Sequence, residues 1–280
     1  MRIIFAIAVL LGAVFAQVGC ADELVRFESA RYRVGELQQR LARLRGENIA
    51  PPAATTIEAY LSKPDGSGPF PAVVSMHGCN GLRPALRVAE GEYLKALGYV
   101  ALVVDSFATR GIKEACVSPM PNRHADAVGA LAYLSKLPFV DAKRIALLGR
   151  SQGGGVGLQV ASTQTADVYD VPDNLTYRAV VAFYPPCAVA TDELALPALV
   201  MIGDADDWTP TRDCERWMAR RAGHGAPVNF IVYPGVYHSF DIAAVGDGME
   251  LFGHKLKYDP EAAGRANAEA REFLRQYLAR

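Results

Sequence analysis

The sequence predicts an α/β fold, a mostly parallel sheet with helices on both faces, and three observations carry that expectation. Short apolar runs recur at Ala72–Met76, Val100–Val104, Ile145–Leu148, Ala179–Phe183, Ala198–Ile202 and Val228–Val232. Their apolarity is continuous rather than alternating, which suits strands covered on both faces as in a parallel sheet. Longer stretches of helical spacing lie between them, at Leu86–Leu97, Asn122–Leu137, Gly153–Ser162, Arg212–Ala222 and Glu261–Leu278. Strand and helix in alternation is the pattern of βαβ units. Finally, no repeat, linker or low-complexity segment interrupts the series. Residues 21–280 are therefore expected to form one domain.

Composition bounds the remaining classes. The chain has 280 residues, 51% hydrophobic and 21% charged. That supports a large core without metals or cross-links and excludes a wholly disordered chain. The formal net charge is −1, from 29 Lys and Arg against 30 Asp and Glu. No basic excess points to nucleic acid or to an anionic membrane.

The chain begins with a segment read as an export signal at residues 1–20. Arg2 precedes an apolar run from Ile3 to Ala16, too short for the roughly 20 residues that a membrane-spanning helix needs. Two processing sites compete. Val14-Phe15-Ala16 suits ordinary signal peptidase. Val18-Gly19-Cys20 resembles a lipobox, with Gln17 where Leu is usual, and would leave a lipid anchor on Cys20. Either route leads out of the cytoplasm, to a periplasmic, secreted or lipid-anchored protein. No later run approaches 18 apolar residues, so no integral membrane span is expected. From Asp22 to Pro52 the sequence is charged and Arg-rich, and Leu37, Leu41 and Leu44 are spaced for a short amphipathic helix. Thr55–Leu61 alternates like a strand, and Lys63–Pro69 is turn chemistry.

The chemistry falls at predicted strand ends. Gly149-Arg150-Ser151-Gln152-Gly153 follows a strand and opens a helix rich in small residues. In that setting G-x-S-x-G is a sharp turn that presents the serine hydroxyl at its tip. Glycines flank it because side chains there would collide with neighbouring backbone. Ser151 is the candidate nucleophile. A serine needs a base, and in this arrangement the chain order is Ser, Asp or Glu, then His. Of the five histidines, His77 and His124 precede Ser151, His224 follows a helix, and His254 sits in a basic, surface-like stretch. His238, in Tyr237-His238-Ser239-Phe240, follows the strand ending near Tyr233 and is the candidate base. The orienting acid belongs to Gly203-Asp204-Ala205-Asp206-Asp207-Trp208. Spacing alone does not separate Asp206 from Asp207. Oxyanion donors are expected at the backbone N–H of Cys79, in His77-Gly78-Cys79-Asn80-Gly81, and of Gln152. His77 is read as a residue that fixes this loop.

These residues resemble the dienelactone hydrolase family within the α/β-hydrolase superfamily. The likeness rests on Gly68–Val74, His77–Gly81, Asp105-Ser106-Phe107, Gly149–Gly153, Asp206–Pro210 and His238-Ser239-Phe240. It implies the α/β-hydrolase fold and Asp206 rather than Asp207 as the acid; no His/Cys/Asp cluster has the spacing of metal ligands, so no metal or cofactor is expected. The name-giving enzymes use a cysteine nucleophile, whereas this chain has Ser151. The expected activity is thus general: hydrolysis of small-molecule carboxylic esters or lactones through a Ser-Asp-His triad and an acyl-enzyme. A serine peptidase or acyltransferase on the same fold is the enzymatic alternative. A binding module on a hydrolase scaffold is the non-enzymatic one. Arg110 and Arg150 are candidate binders of a substrate carboxylate, with Tyr184 and Trp208 as candidate pocket walls. Substrate identity and oligomeric state are not legible.

Five cysteines leave an odd count. Cys20 belongs to the export segment, and the other four form an even set in an oxidising compartment. Cys79 and Cys116 follow neighbouring predicted strands, as do Cys187 and Cys214. The expected bridges are 79–116 and 187–214.

Overall fold

A computed structural model describes residues 22–163, 165–171 and 175–279. The segment read as an export signal, with Cys20, lies outside the described residues. Strand β1 (Glu23–Glu28) and helix α1 (Glu36–Leu44) precede β2 (Thr56–Ser62) and β3 (Phe70–Met76). Then come α2 (Pro84–Ala96), β4 (Val100–Asp105), α3 (Arg123–Leu134), β5 (Val140–Arg150), α4 (Gln152–Val160) and a single turn, α5 (Thr165–Val168). The second half comprises β6 (Val180–Phe183), β7 (Ala198–Gly203), α6 (Thr211–Arg221), β8 (Val228–Tyr233), the pair β9 (Met249–Leu251) and β10 (His254–Leu256), and α7 (Pro260–Leu278).

Eight strands form one sheet in the order β1-β2-β4-β3-β5-β6-β7-β8. The pairings from β4 through β8 are parallel, and β1 and β2 join antiparallel at one edge. The predicted apolar runs are its central strands. All six residues of β7 and all four of β6 are buried, with α4 packed on β6 and α7 on β7 while α2 and α3 cover the strands before them. Each fully buried Val, Leu or Ile side chain contributes about 1.5–3 kcal/mol, so continuous apolarity here reports two-sided burial.

Three features depart from the expectations for the periphery. Strand β1 falls where the sequence reads as charged and Arg-rich; only Val25 and Phe27 turn inward, as an edge strand requires. Helix α1 forms, but Leu37, Leu41 and Leu44 are 69%, 46% and 75% exposed, and the small Ala42 is the residue it buries. The hairpin of β9 and β10 was not expected. It turns through Phe252-Gly253, both with positive φ (52° and 82°), the geometry that matches the strand twist of two-residue hairpins.

The order β4-β3-β5 puts the carboxyl ends of β3 and β5 side by side where the chain changes its direction of winding across the sheet. Open α/β sheets gather their ligands at such crevices.

Candidate active site

The strand-to-helix turn after β5 is forced by packing. Ser151 has φ 52° and ψ −122°, a conformation costing about 1–3 kcal/mol for a non-glycine residue. It persists because its surroundings admit no other path. A Cβ on Gly149 would lie 2.2 Å from the Gly153 carbonyl oxygen, and one on Gly153 would lie 2.2 Å from that of Met76. The hydroxyl is thereby held at the tip of β5, at the N-terminus of α4, where backbone N–H groups point outward without helical partners.

His238, from the loop after β8, accepts at Nε2 from Ser151 Oγ at 3.1 Å. Its Nδ1–H donates to Asp206 Oδ2 at 2.7 Å. Asp206 is held in turn by the N–H groups of Trp208 and Thr209, each 2.9 Å from Oδ1. The Thr209 hydroxyl stands 2.9 Å from Oδ2 and 3.1 Å from the Tyr184 carbonyl. Asp206 and His238 are both buried. The neighbouring aspartate does other work: Asp207 is exposed, accepts from Lys255 N and pairs with His254 at 3.5 Å. Three dimensions thus separate two carboxylates that spacing left equivalent.

The β3 loop closes the opposite side. An ideal Cβ on Gly78 would stand 3.5 Å from Cβ of Ser151, so this loop runs alongside that serine. His77 donates from Nδ1 to the Gly78 carbonyl at 2.6 Å and accepts the Ser106 N–H at Nε2, 3.3 Å. Both bonds are made by one neutral tautomer. Burial, reinforced by the nearby Arg123 charge, holds the His77 pKa well below its usual value. Cys79 is bonded to Cys116, and Cys187 to Cys214.

A cavity of about 490 Å³ opens over Ser151 and His238. Its walls are mostly apolar, with Leu86 from α2, Ile242 and Val245 from the loop after β8, and Leu251 and Leu256 from the hairpin. Tyr184 and Trp208 both line it. Trp208 lies 5.2 Å from the His238 ring and stacks on His254 at 4.9 Å. His254 is therefore no free surface residue, and only the unexpected hairpin brings it here.

The two arginines expected at the substrate fare differently from that expectation. Arg110 does not line the cavity: its guanidinium grips Asp126 through two bonds of 2.7 and 2.8 Å and reaches the Ser106 carbonyl. Arg150 does line it and is engaged there by two carboxylates, Asp241 at 2.7 Å and Glu90 at 3.0 Å. Asp241 also accepts from the Tyr184 hydroxyl at 2.6 Å. Both guanidinium groups are thus paired with acids of the fold, and of the two only Arg150 reaches the cavity. The cation that sequence reading passed over is Arg83, exposed at the cavity edge and without an ion pair among the described residues.

Comparison with known proteins accords with this arrangement. The profile of the dienelactone hydrolase family matches residues 57–278. A Bradyrhizobium protein named "probable 2-oxo-3-(5-oxofuran-2-ylidene)propanoate lactonase" is 26% identical over 196 residues, 65% of this chain and 78% of that one. An esterase of Thermogutta terrifontis superposes with a TM-score of 0.60 at 17% identity, covering 80% of this chain and 90% of its own. A dienelactone hydrolase-like promiscuous phosphotriesterase from metagenomic libraries gives 0.59 at 18% identity, covering 91% and 98%. With its sheet, its nucleophile turn and its family match taken together, the chain belongs to the dienelactone hydrolase family and is an ester-acting hydrolase of the α/β-hydrolase fold.

Proposed function

We propose that the protein hydrolyses carboxylic esters or lactones by way of an acyl-enzyme, with Ser151 as nucleophile, His238 as base and Asp206 as its orienting acid. The observation that carries this reading is the unbroken chain of contacts Ser151 Oγ–His238 Nε2 and His238 Nδ1–Asp206 Oδ2 at the floor of the cavity. His238 takes the Ser151 proton as Oγ attacks the carbonyl carbon. Asp206 keeps the proton of Nδ1 in place and stabilises the imidazolium that forms. The carbonyl oxygen, now negative, accepts from the backbone N–H groups of Cys79 and Gln152. Each such donor lowers the barrier by about 3–4 kcal/mol. His238 then returns its proton to the leaving alkoxide, and water releases the acyl group by the same steps.

The mostly apolar walls and the engagement of Arg110 and Arg150 by acids favour neutral esters. Ser151→Ala should abolish turnover of a p-nitrophenyl ester, and a fluorophosphonate should label Ser151 of the wild type, as read by peptide mass mapping. Turnover that survives the substitution would refute the assignment.

A further inference from the structure

We propose that Arg123 is the positioning residue of the oxyanion site, its buried guanidinium fixing together the two segments that carry the Cys79 and Gln152 amides. The inference rests on the reading of Ser151 as nucleophile. Arg123 opens α3, and its side chain is fully buried. Its two hydrogen-bond partners are neutral: the Gln152 side-chain oxygen at 2.7 Å and the His77 carbonyl at 2.6 Å. It makes no ion pair among the described residues, and its Nε is buried without a partner. Stripping a guanidinium of water costs several kcal/mol, which a fold ordinarily offsets with a carboxylate. Here a carboxylate is near but taken, since Asp126 is bound to Arg110.

The partners show what the charge holds. Gln152 turns its amide nitrogen to the Ala115 carbonyl at 3.1 Å, and Ala115 N–H donates to the Cys79 carbonyl at 2.8 Å. From Cys79 the backbone runs through Gly78 to His77, whose carbonyl returns to Arg123. The circuit is closed: Arg123, Gln152, Ala115, Cys79, His77. Both proposed oxyanion donors are members of it, and the Cys79–Cys116 bond clamps it at one corner. Burial lowers the Arg123 pKa to about 10, with Asp126 and Asp105 opposing that shift and Arg110 adding to it. The group therefore stays charged at neutral pH. The neighbouring imidazoles, His77 and His124, are both pushed toward their neutral forms, chiefly by burial and with the Arg123 charge adding to it. The arrangement places a positive charge without a direct ion pair in the framework of the site where negative charge develops.

The test uses the full oxidised chain with active sites counted by fluorophosphonate. Arg123→Met should lower kcat per labelled site by about 10- to 100-fold with KM little changed, the split expected of a group that acts on the transition state. A trifluoromethyl ketone, which forms a tetrahedral oxyanion on Ser151, should lose affinity by a similar factor. Arg123→Lys should recover part of kcat at neutral pH and lose it above about pH 8, because burial drives an ammonium to shed its proton earlier than a guanidinium. Gln152→Met, which keeps the backbone donor and cuts the circuit, should give an intermediate loss. If Arg123→Met does not fold by circular dichroism, Arg123→Lys and Gln152→Met decide. Wild-type kcat per site in the folded variants, or a loss confined to KM, would overturn the proposal. Such a result beside an inactive Ser151→Ala would leave the nucleophile assignment standing, whereas an active Ser151→Ala removes both.

Discussion

Ser151 stands between two walls held by opposite means. On the base side, the loops after β7 and β8 are joined through carboxylates. Asp206 collects two N–H groups, a hydroxyl and His238, and Asp241 ties Arg150 to Tyr184. On the side proposed to hold the oxyanion, the contacts among Arg123, Gln152, Ala115, Cys79 and His77 run through a cystine and a cation bound to neutral groups, and the carboxylates stand further out, Asp105 at 4.0 Å from His77 and Glu114 on the Cys116 N–H. The difference matches the charges expected during turnover. An acid beside His238 favours the imidazolium, while an acid beside the oxyanion would oppose it.

The contrast can be broken at several points. Asp206→Asn should have the largest effect, about 10⁴-fold in kcat, because a neutral amide neither holds the tautomer nor balances the imidazolium. Steady-state kinetics on sites counted by fluorophosphonate would show it, and a loss under tenfold would mean that the base side does not depend on its carboxylate. Removing the Arg123 charge comes next, as argued above. The two cystines then provide an internal comparison. Cys79→Ala/Cys116→Ala and Cys187→Ala/Cys214→Ala should each destabilise by about 2–5 kcal/mol, seen as a lower Tm. Only the first pair sits in the oxyanion wall, so only it should also lower kcat, on the order of tenfold for a small displacement of donors. Equal kcat for the two double variants would show that the bridge braces the fold alone.

The smallest effect is one of pH. His77 is held neutral by burial, so below its unfolded pKa of about 6.5 the unfolded chain gains a proton that the folded one refuses. Stability is therefore lost as pH falls, by up to about 1.4 kcal/mol per pH unit. Melts from pH 7 to 5 should show a shallower decline of Tm for His77→Asn than for the wild type. The remaining slope includes His124, whose pKa burial also lowers. Identical slopes would mean that His77 is not the acid-sensitive point of its wall.

What the sequence makes legible follows from range. The central strands can be read because two-sided burial writes itself as unbroken apolar runs. Ser151 and His238 can be read because each follows a strand end within a few residues. Asp206 and Asp207 are adjacent in sequence and part only when the fold turns one inward to His238 and the other out to Lys255 and His254. Arg123 meets its partners 29 and 46 residues away, and no local pattern encodes that. The acids that pair with Arg110 and Arg150 are hidden for the same reason, since a side chain's engagement is invisible until its partner is brought to it. Strand β1 is buried on one face only, and the β9–β10 strands are three residues each, so none of them leaves a continuous run.

The hairpin over the cavity is stitched to the base itself. Lys257 N–H donates to the His238 carbonyl, and Leu256 bridges to His238 along the backbone. The cavity wall formed by the hairpin thus shares its backbone ties with the residue proposed as the base. Selection acting on this roof, in nature or in directed evolution, will find breadth of substrate and speed of turnover changing together rather than as separate traits.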